Sequence, residues 1–216
     1  MKDNTKKEFW ETSFTDKQEM WGFEPAKSAI WAKDFFLGKA AKSILIPGIG
    51  YGRNAQIFRE HGIGVTGIEI SETAIALARR HYGADMTLYH GSVTDMPFDD
   101  NVYDGIFCHG LIYLLEEAER VKLIQNCYKQ LIEGGTMIFT VITKEAKTYG
   151  LGTQISKDRF EMFGGVQIFF YDEEAVHGEF AKFGLVEIKE VNENYPFYVI
   201  RCSKTGINNS LEPGVR

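Results

Sequence analysis

The chain has 216 residues, with 24 Lys and Arg against 30 Asp and Glu, a formal net charge of −6. Its 44% apolar and 25% charged residues are those of a globular protein of single-domain size, which excludes disordered and fibrous architectures. The acidic balance opposes a broad phosphate-neutralising surface, so no nucleic-acid partner is expected, and no run is apolar for the ~18 residues of a membrane span.

The start, Met1 to Lys7, is polar and leads into no apolar leader segment, so a cytoplasmic protein is expected. Cys108, Cys127 and Cys202 show no C-x-x-C spacing and the five histidines no H-x-x-x-H pair, so neither a disulfide framework nor a metal site is predicted. Oligomeric state has no signature in the sequence.

From Lys42 to Thr143, short apolar runs alternate with helical patterns, the form of a parallel sheet with crossover helices. Ser43 to Ile46 reads as a strand running into Gly48-Ile49-Gly50-Tyr51-Gly52, and Asn54 to His61 as a helix stopped by Gly62. Gly64 to Ile70 is the second strand. Ser71 then caps a helix whose Ala74, Ile75, Leu77 and Ala78 share a face, and Gly83 ends it. Met86 to Tyr89 and Tyr103 to Cys108 are the third and fourth strands. Val121, Ile124, Tyr128 and Leu131 mark a helix closed by Gly134-Gly135, and Thr136 to Ile142 is the fifth strand.

A Gly-rich insertion, Lys144 to Phe170, precedes a helix capped by Asp172 with Val176, Phe180 and Phe183 inward and Gly184 at its end. Leu185 to Val191 and Phe197 to Cys202 are joined by five residues, too few for a parallel crossover, so they are predicted to pair antiparallel. The polar stretch from Ser203 to Arg216 reads as a flexible tail.

Glycines 48, 50 and 52 fall at the carboxyl end of the first strand, where open α/β sheets bind ligands. A dinucleotide fingerprint requires a further glycine where Arg53 stands, which disfavours a nicotinamide-dependent oxidoreductase. Glu69 ends the second strand, where a carboxylate can accept both ribose hydroxyls of an adenosine.

Beyond the third strand, Gly91-Ser92-Val93-Thr94-Asp95-Met96-Pro97-Phe98 leads into the fourth. The order of these segments, from about Phe9 to Cys202, resembles the class I S-adenosylmethionine-dependent methyltransferases. Ile46-Pro47-Gly48-Ile49-Gly50 is similar to the turn of thiopurine and thiol methyltransferases, and Gly52-Arg53-Asn54 to that of tellurite-resistance methyltransferases. Phe9-Trp10 with Trp21-Gly22-Phe23-Glu24-Pro25 looks like the aromatic lead-in of both branches, which folds over the cofactor. Ile46 stands where the family commonly has an acid, and Ser92 where it commonly has Asp.

The resemblance implies a Rossmann-like α/β fold: a doubly wound, mostly parallel seven-stranded sheet with an antiparallel C-terminal hairpin. A single methyltransferase domain over 1–202 is implied, with 1–40 a helical cover, 144–171 a substrate lid and 203–216 the tail. S-adenosyl-L-methionine is the implied cofactor, held by Trp10, Trp21, Gly48, Ile49, Gly50, Gly52, Asn54, Glu69, Ile70, Ser92, Val93, Cys108 and His109. Tyr113, Tyr149, Arg159 and Tyr171 are candidates for contact with a small-molecule acceptor, in this reading a thiol or oxyanion. Methyl transfer is an in-line displacement that needs placement above all. A hydroxyl acceptor also needs a base, for which His109 and Tyr113 are the candidates. A binding module that kept the fold without turnover is the non-enzymatic alternative.

Overall fold

The computed structural model describes residues 3–205 apart from Ala84 and Phe163. Two helices, α1 (Asp3–Lys17) and α2 (Lys27–Gly38), precede an alternation of β1 (Ser43–Pro47), α3 (Gln56–Glu60), β2 (Gly64–Glu69), α4 (Glu72–Tyr82), β3 (Thr87–His90), β4 (Tyr103–Cys108), α5 (Glu117–Lys129) and β5 (Leu131–Ile142). Three short strands follow, β6 (Thr153–Ser156), β7 (Arg159–Met162) and β8 (Val166–Phe169), then α6 (Glu173–Phe180), β9 (Leu185–Asn192) and β10 (Pro196–Ser203).

The main sheet has seven strands in the order β3-β2-β1-β4-β5-β10-β9. β1 to β5 run parallel, and β10 lies antiparallel to both β5 and β9. This is the Rossmann-like methyltransferase fold that the chain order implies. Strand order reverses between β1 and β4, so the crevice beyond their carboxyl ends is the place for a ligand.

Side-chain alternation sends each strand into two cores. Ile44, Ile46, Phe107, Ile138 and Val199 pack with Phe36 of α2 and Phe58 of α3 on one face. Leu45, Ile106, Cys108, Met137, Phe139 and Ile200 pack with Leu123, Ile124 and Cys127 of α5 and Val176 and Phe180 of α6 on the other.

Four local readings change. The helix expected over 54–61 is only Gln56–Glu60, because residues 50–55 are held in the turn: the Asn54 side chain accepts the Ala26 N–H at 2.9 Å. Leu131 and Gly134-Gly135 belong to β5 rather than to the preceding helix, with Leu131 paired to Tyr103 and Gly134 and Gly135 bonded to Lys204. The buried stripe of α5 is therefore Arg120, Leu123, Ile124 and Cys127, with Val121 and Tyr128 only half-buried. The insertion after β5 is itself a three-stranded antiparallel sheet, β6-β7-β8. The tail begins later than expected, since Ser203 pairs with Thr136 in the sheet; residues 206–216 lie outside those described.

Candidate active site

At the reversal point lies a cavity of about 390 Å³, walled by the turn after β1, the ends of β2 and β4, the loop after β3, α1, β8 and the β9–β10 turn. Gly48 and Gly50 have positive φ, 68° and 59°, which turns the backbone sharply at the cavity floor at no side-chain cost. A Cβ on Gly48 would lie 2.8 Å from Leu111 Cδ2, so the loop after β4 packs directly on this turn.

Glu69 lines the cavity yet is only 6% exposed. One carboxylate oxygen accepts the Gly50 N–H at 2.9 Å, and the other those of Ile70 at 2.8 Å and Ser71 at 3.0 Å. Burial pushes its carboxyl above the usual range, against these three donors. A carboxylate offers about four lone-pair sites, so these three donors leave one of them open. Ser92 and Val93 sit on the neighbouring wall, with the Ser92 hydroxyl accepting the Thr94 N–H.

His109 follows β4. Its Nδ1 lies 3.1 Å from the Ser28 hydroxyl and 3.0 Å from that of Thr140, and its ring stacks on Phe107 at 18°. Burial lowers its pKa to about 4, opposed by Glu193 and assisted by Arg53, so the imidazole is neutral at physiological pH. Burial also holds the Tyr113 phenol far above its ordinary value, leaving it a hydrogen-bond donor.

The outer wall is aromatic. Trp21 stacks on Tyr51 at 8°, and Trp10 and Phe14 pack against Trp21 at 6.4 and 5.8 Å. Polar contacts pin α1 to the body: Glu11 accepts the Ser71 hydroxyl, and Lys6 pairs with Glu119. α2 stays behind the sheet, so of the first forty residues it is α1 and the turn after it that wall the cavity.

The cavity gathers Trp10, Trp21, Gly48, Ile49, Gly50, Asn54, Glu69, Ile70, Ser92, Val93, His109 and Tyr113. Five expected site residues stand outside it. Gly52 packs on α4, where a Cβ would lie 2.9 Å from the Tyr82 ring. Cys108 is wholly buried in the apolar core, which pushes its thiol far up. The Tyr149 hydroxyl donates to Asp158 and that of Tyr171, itself wholly buried, to Glu179. Arg159 is 6% exposed and donates to the Leu115 carbonyl at 2.5 Å and to the Gln167 amide oxygen. The insertion reaches the cavity through Val166, Gln167 and Ile168 of β8 instead.

Sequence reasoning missed Tyr51, Leu111, Glu193, Tyr195 and Phe197, all of which line the cavity. The last three sit on or beside a hairpin turn whose only sequence signal was its shortness.

Residues 45–139 match the family described as a methyltransferase domain. The chain is 33% identical over 107 residues to a presumed methyltransferase of Geobacillus sp. (strain WCH70), covering 48% of this chain and 43% of that one. It is 28% identical over 111 residues to the ubiquinone biosynthesis O-methyltransferase of Coxiella burnetii, covering 50% and 47%. The chain thus spans about half the length of the curated relatives it matches. Among solved structures, the Burkholderia thailandensis 1,6-didemethyltoxoflavin-N1-methyltransferase with bound S-adenosylhomocysteine superposes with a TM-score of 0.72 at 17% identity, covering 93% of this chain and 87% of that one. The magnesium protoporphyrin IX methyltransferase of Synechocystis PCC 6803 gives 0.71 at 12% identity, covering 94% and 99%. Among the described residues no helix is long and apolar enough to cross a membrane, and no cluster of His, Cys, Asp and Glu could hold a metal ion.

Proposed function

We propose that the chain is an S-adenosylmethionine-dependent methyltransferase that modifies a small molecule in this cavity. One observation carries the reading: the Gly48–Gly50 turn, Glu69 and the Ser92-Val93 loop, far apart in sequence, form adjoining walls of a single cavity at the strand-order reversal. Its fit to the cofactor rests on turn backbone left open by two glycines, a buried carboxylate with a lone pair to spare for a ribose hydroxyl, and beside it a loop that offers both the Val93 side chain and polar groups to the adenine. In this assignment Gly48 to Gly50 hold the methionine part, Glu69 and Ile70 the ribose, and Ser92 and Val93 the adenine edge, with Trp10 and Trp21 closing over them.

When bound, S-adenosylmethionine supplies a methyl group on a positively charged sulfur. The protein's part is placement and exclusion of water. His109, Tyr113, Tyr195 and Phe197 form the wall at the far end from Glu69 and Ser92, where an acceptor is oriented toward the donor. Neutral His109 is a weak base, so an acceptor that already has a free lone pair suits the site. The likeness of Ile46 to Asn54 to the thiol and tellurite-resistance branches supports a second reading, a soft thiolate or oxyanion acceptor, which also needs no base.

Isothermal titration with S-adenosylhomocysteine tests the cofactor assignment, and release of labelled methyl onto small acceptors tests turnover. Heat of binding with transfer is expected. Silence in both calorimetry and thermal shift would remove the reading, and binding without transfer to any acceptor class would point to a regulatory module.

A further inference from the structure

If the cavity transfers methyl groups, the chemistry of its far end selects among acceptors. Phe197 centres an aromatic cluster there, with ring centroids 6.0 Å from His109, 6.2 Å from Tyr113 and 6.3 Å from Tyr195. Leu114 and, from β8, Ile168 add aliphatic surface to the cavity wall. Flat apolar molecules gain most from such walls, by offset stacking and edge contacts as well as by burial.

Two carboxylates line the cavity. Glu69 already accepts three backbone N–H groups and, in the proposed assignment, belongs to the adenosine side. Glu193, on the β9–β10 turn, accepts the Ser28 N–H at 2.7 Å through Oε1, and its Oε2 takes no hydrogen bond among the described residues. Ser28 in turn bonds His109, which places Glu193 beside the aromatic cluster.

Cations stand nearby without pairing with it: the Lys27 Nζ donates to the neighbouring Asn192 carbonyl at 3.0 Å. Of those lining the cavity, Lys6 pairs with Glu119, Arg53 donates to the carbonyls of Trp21 and Glu24, and Lys17 stands in the last turn of α1. Arg159 is behind the wall, committed to Leu115 and Gln167. Glu193 forms no ion pair among the described residues, so an anionic acceptor at the cluster would meet its carboxylate, a like-charge repulsion that discriminates between acceptors.

We infer that the acceptor is a neutral, flat nitrogen heteroaromatic molecule, and that Glu193 selects it by offsetting the positive charge that arrives on its nitrogen. The nitrogen lone pair forms the new N–C bond while the C–S electron pair returns to sulfur. Positive charge thereby passes from sulfur to nitrogen, toward Glu193. No proton has to be removed first, which matches the absence of a strong base around His109. This inference rests on the methyl-transfer reading, narrows its acceptor, and stands against the thiolate or oxyanion alternative.

The test is calorimetry on the full chain saturated with S-adenosylhomocysteine, using quinoline, quinoline-6-carboxylate and cyclohexanol as probes. Quinoline is expected to bind at least about tenfold more tightly than its carboxylate, and cyclohexanol to give no heat. Glu193→Gln keeps the oxygen that accepts the Ser28 N–H, and it should narrow the quinoline-to-carboxylate gap to within about threefold. Tyr195→Leu, at an exposed position, should weaken quinoline severalfold without touching the gap. Carboxylate binding equal to or tighter than quinoline, no heat with quinoline, or a gap unchanged in Glu193→Gln would each overturn the inference while S-adenosylhomocysteine still binds. Absence of S-adenosylhomocysteine heat removes the methyl-transfer reading itself, and this inference with it.

Discussion

The Glu69 carboxylate accepts the backbone N–H of Gly50 at 2.9 Å, so the acid that ends β2 ties down the glycine turn that ends β1. The same side chain takes the Ile70 and Ser71 N–H groups at the entry to α4. It is at once a structural clasp and, in the proposed assignment, the ribose ligand.

Glu69→Ala is therefore expected to act twice. Three N–H groups lose their acceptor, a loss of about 2–4 kcal/mol that denaturant unfolding would register. S-adenosylhomocysteine affinity should also fall by at least about tenfold. Glu69→Gln, which keeps one acceptor oxygen, should recover much of the stability and less of the affinity. Stability lost with affinity unchanged would leave only the clasp.

His109 carries the pH prediction. Burial lowers its pKa to about 4, so the ring stays neutral from about pH 5.5 to 8, the range over which an ordinary histidine titrates. The methyl-transfer rate should show no imidazole inflection there. A folded-state pKa below the unfolded one also means that protonation opposes folding, so His109 costs stability progressively as pH drops below its ordinary value of 6.5. His109→Gln should relieve part of that acid-side loss. A rate inflection near pH 6.5 that this variant abolishes would assign His109 to proton transfer instead.

Arg159 is expected to matter for the fold and not for ligand affinity. Its guanidinium bridges the Leu115 carbonyl and Gln167, behind the cavity wall. Arg159→Met keeps the length of the stem but leaves Leu115 to Arg120 alone, and should lower stability by about 1–3 kcal/mol with S-adenosylhomocysteine affinity within about twofold of the parent. A selective loss of acceptor binding in a normally stable variant would return Arg159 to the site.

Gly184 and Gly178 form a contrasting pair. Gly184 has a φ of +72°, and a Cβ there would lie 2.2 Å from the Ser203 carbonyl oxygen. Gly184→Ala should thus destabilise by about 2 kcal/mol or more, through both strain and collision. Gly178 is within α6 and a Cβ on it meets nothing within 4 Å. Gly178→Ala should stabilise by about 0.5–1 kcal/mol on helix propensity. Equal effects, measured by thermal unfolding, would contradict this account of the two positions.

Period-two and helical patterning, with caps such as Ser71 and Asp172, was enough to read the seven strands of the main sheet and its antiparallel end. Those features depend on local propensity and on which face of each element is apolar, both written in consecutive residues. The turn at Gly48 to Gly50 and the acid at Glu69 were legible for the same reason: they stand at strand ends in a fixed order. Leu131 and Gly134-Gly135 were misread because helix and strand compete over a short apolar run, and only pairing with Tyr103 and Lys204 decides the outcome. Arg159, Tyr149 and Tyr171 looked available from sequence because a polar group's partner is invisible there; folding gives them Leu115, Asp158 and Glu179. The sequence by itself thus determined the sheet and the wall of the cavity made by the glycine turn and Glu69, through local pattern. Which side chains remain free to meet an acceptor, Glu193 and the Phe197 cluster above all, only the tertiary structure decided, because that depends on hydrogen bonds and packing between residues remote in the chain.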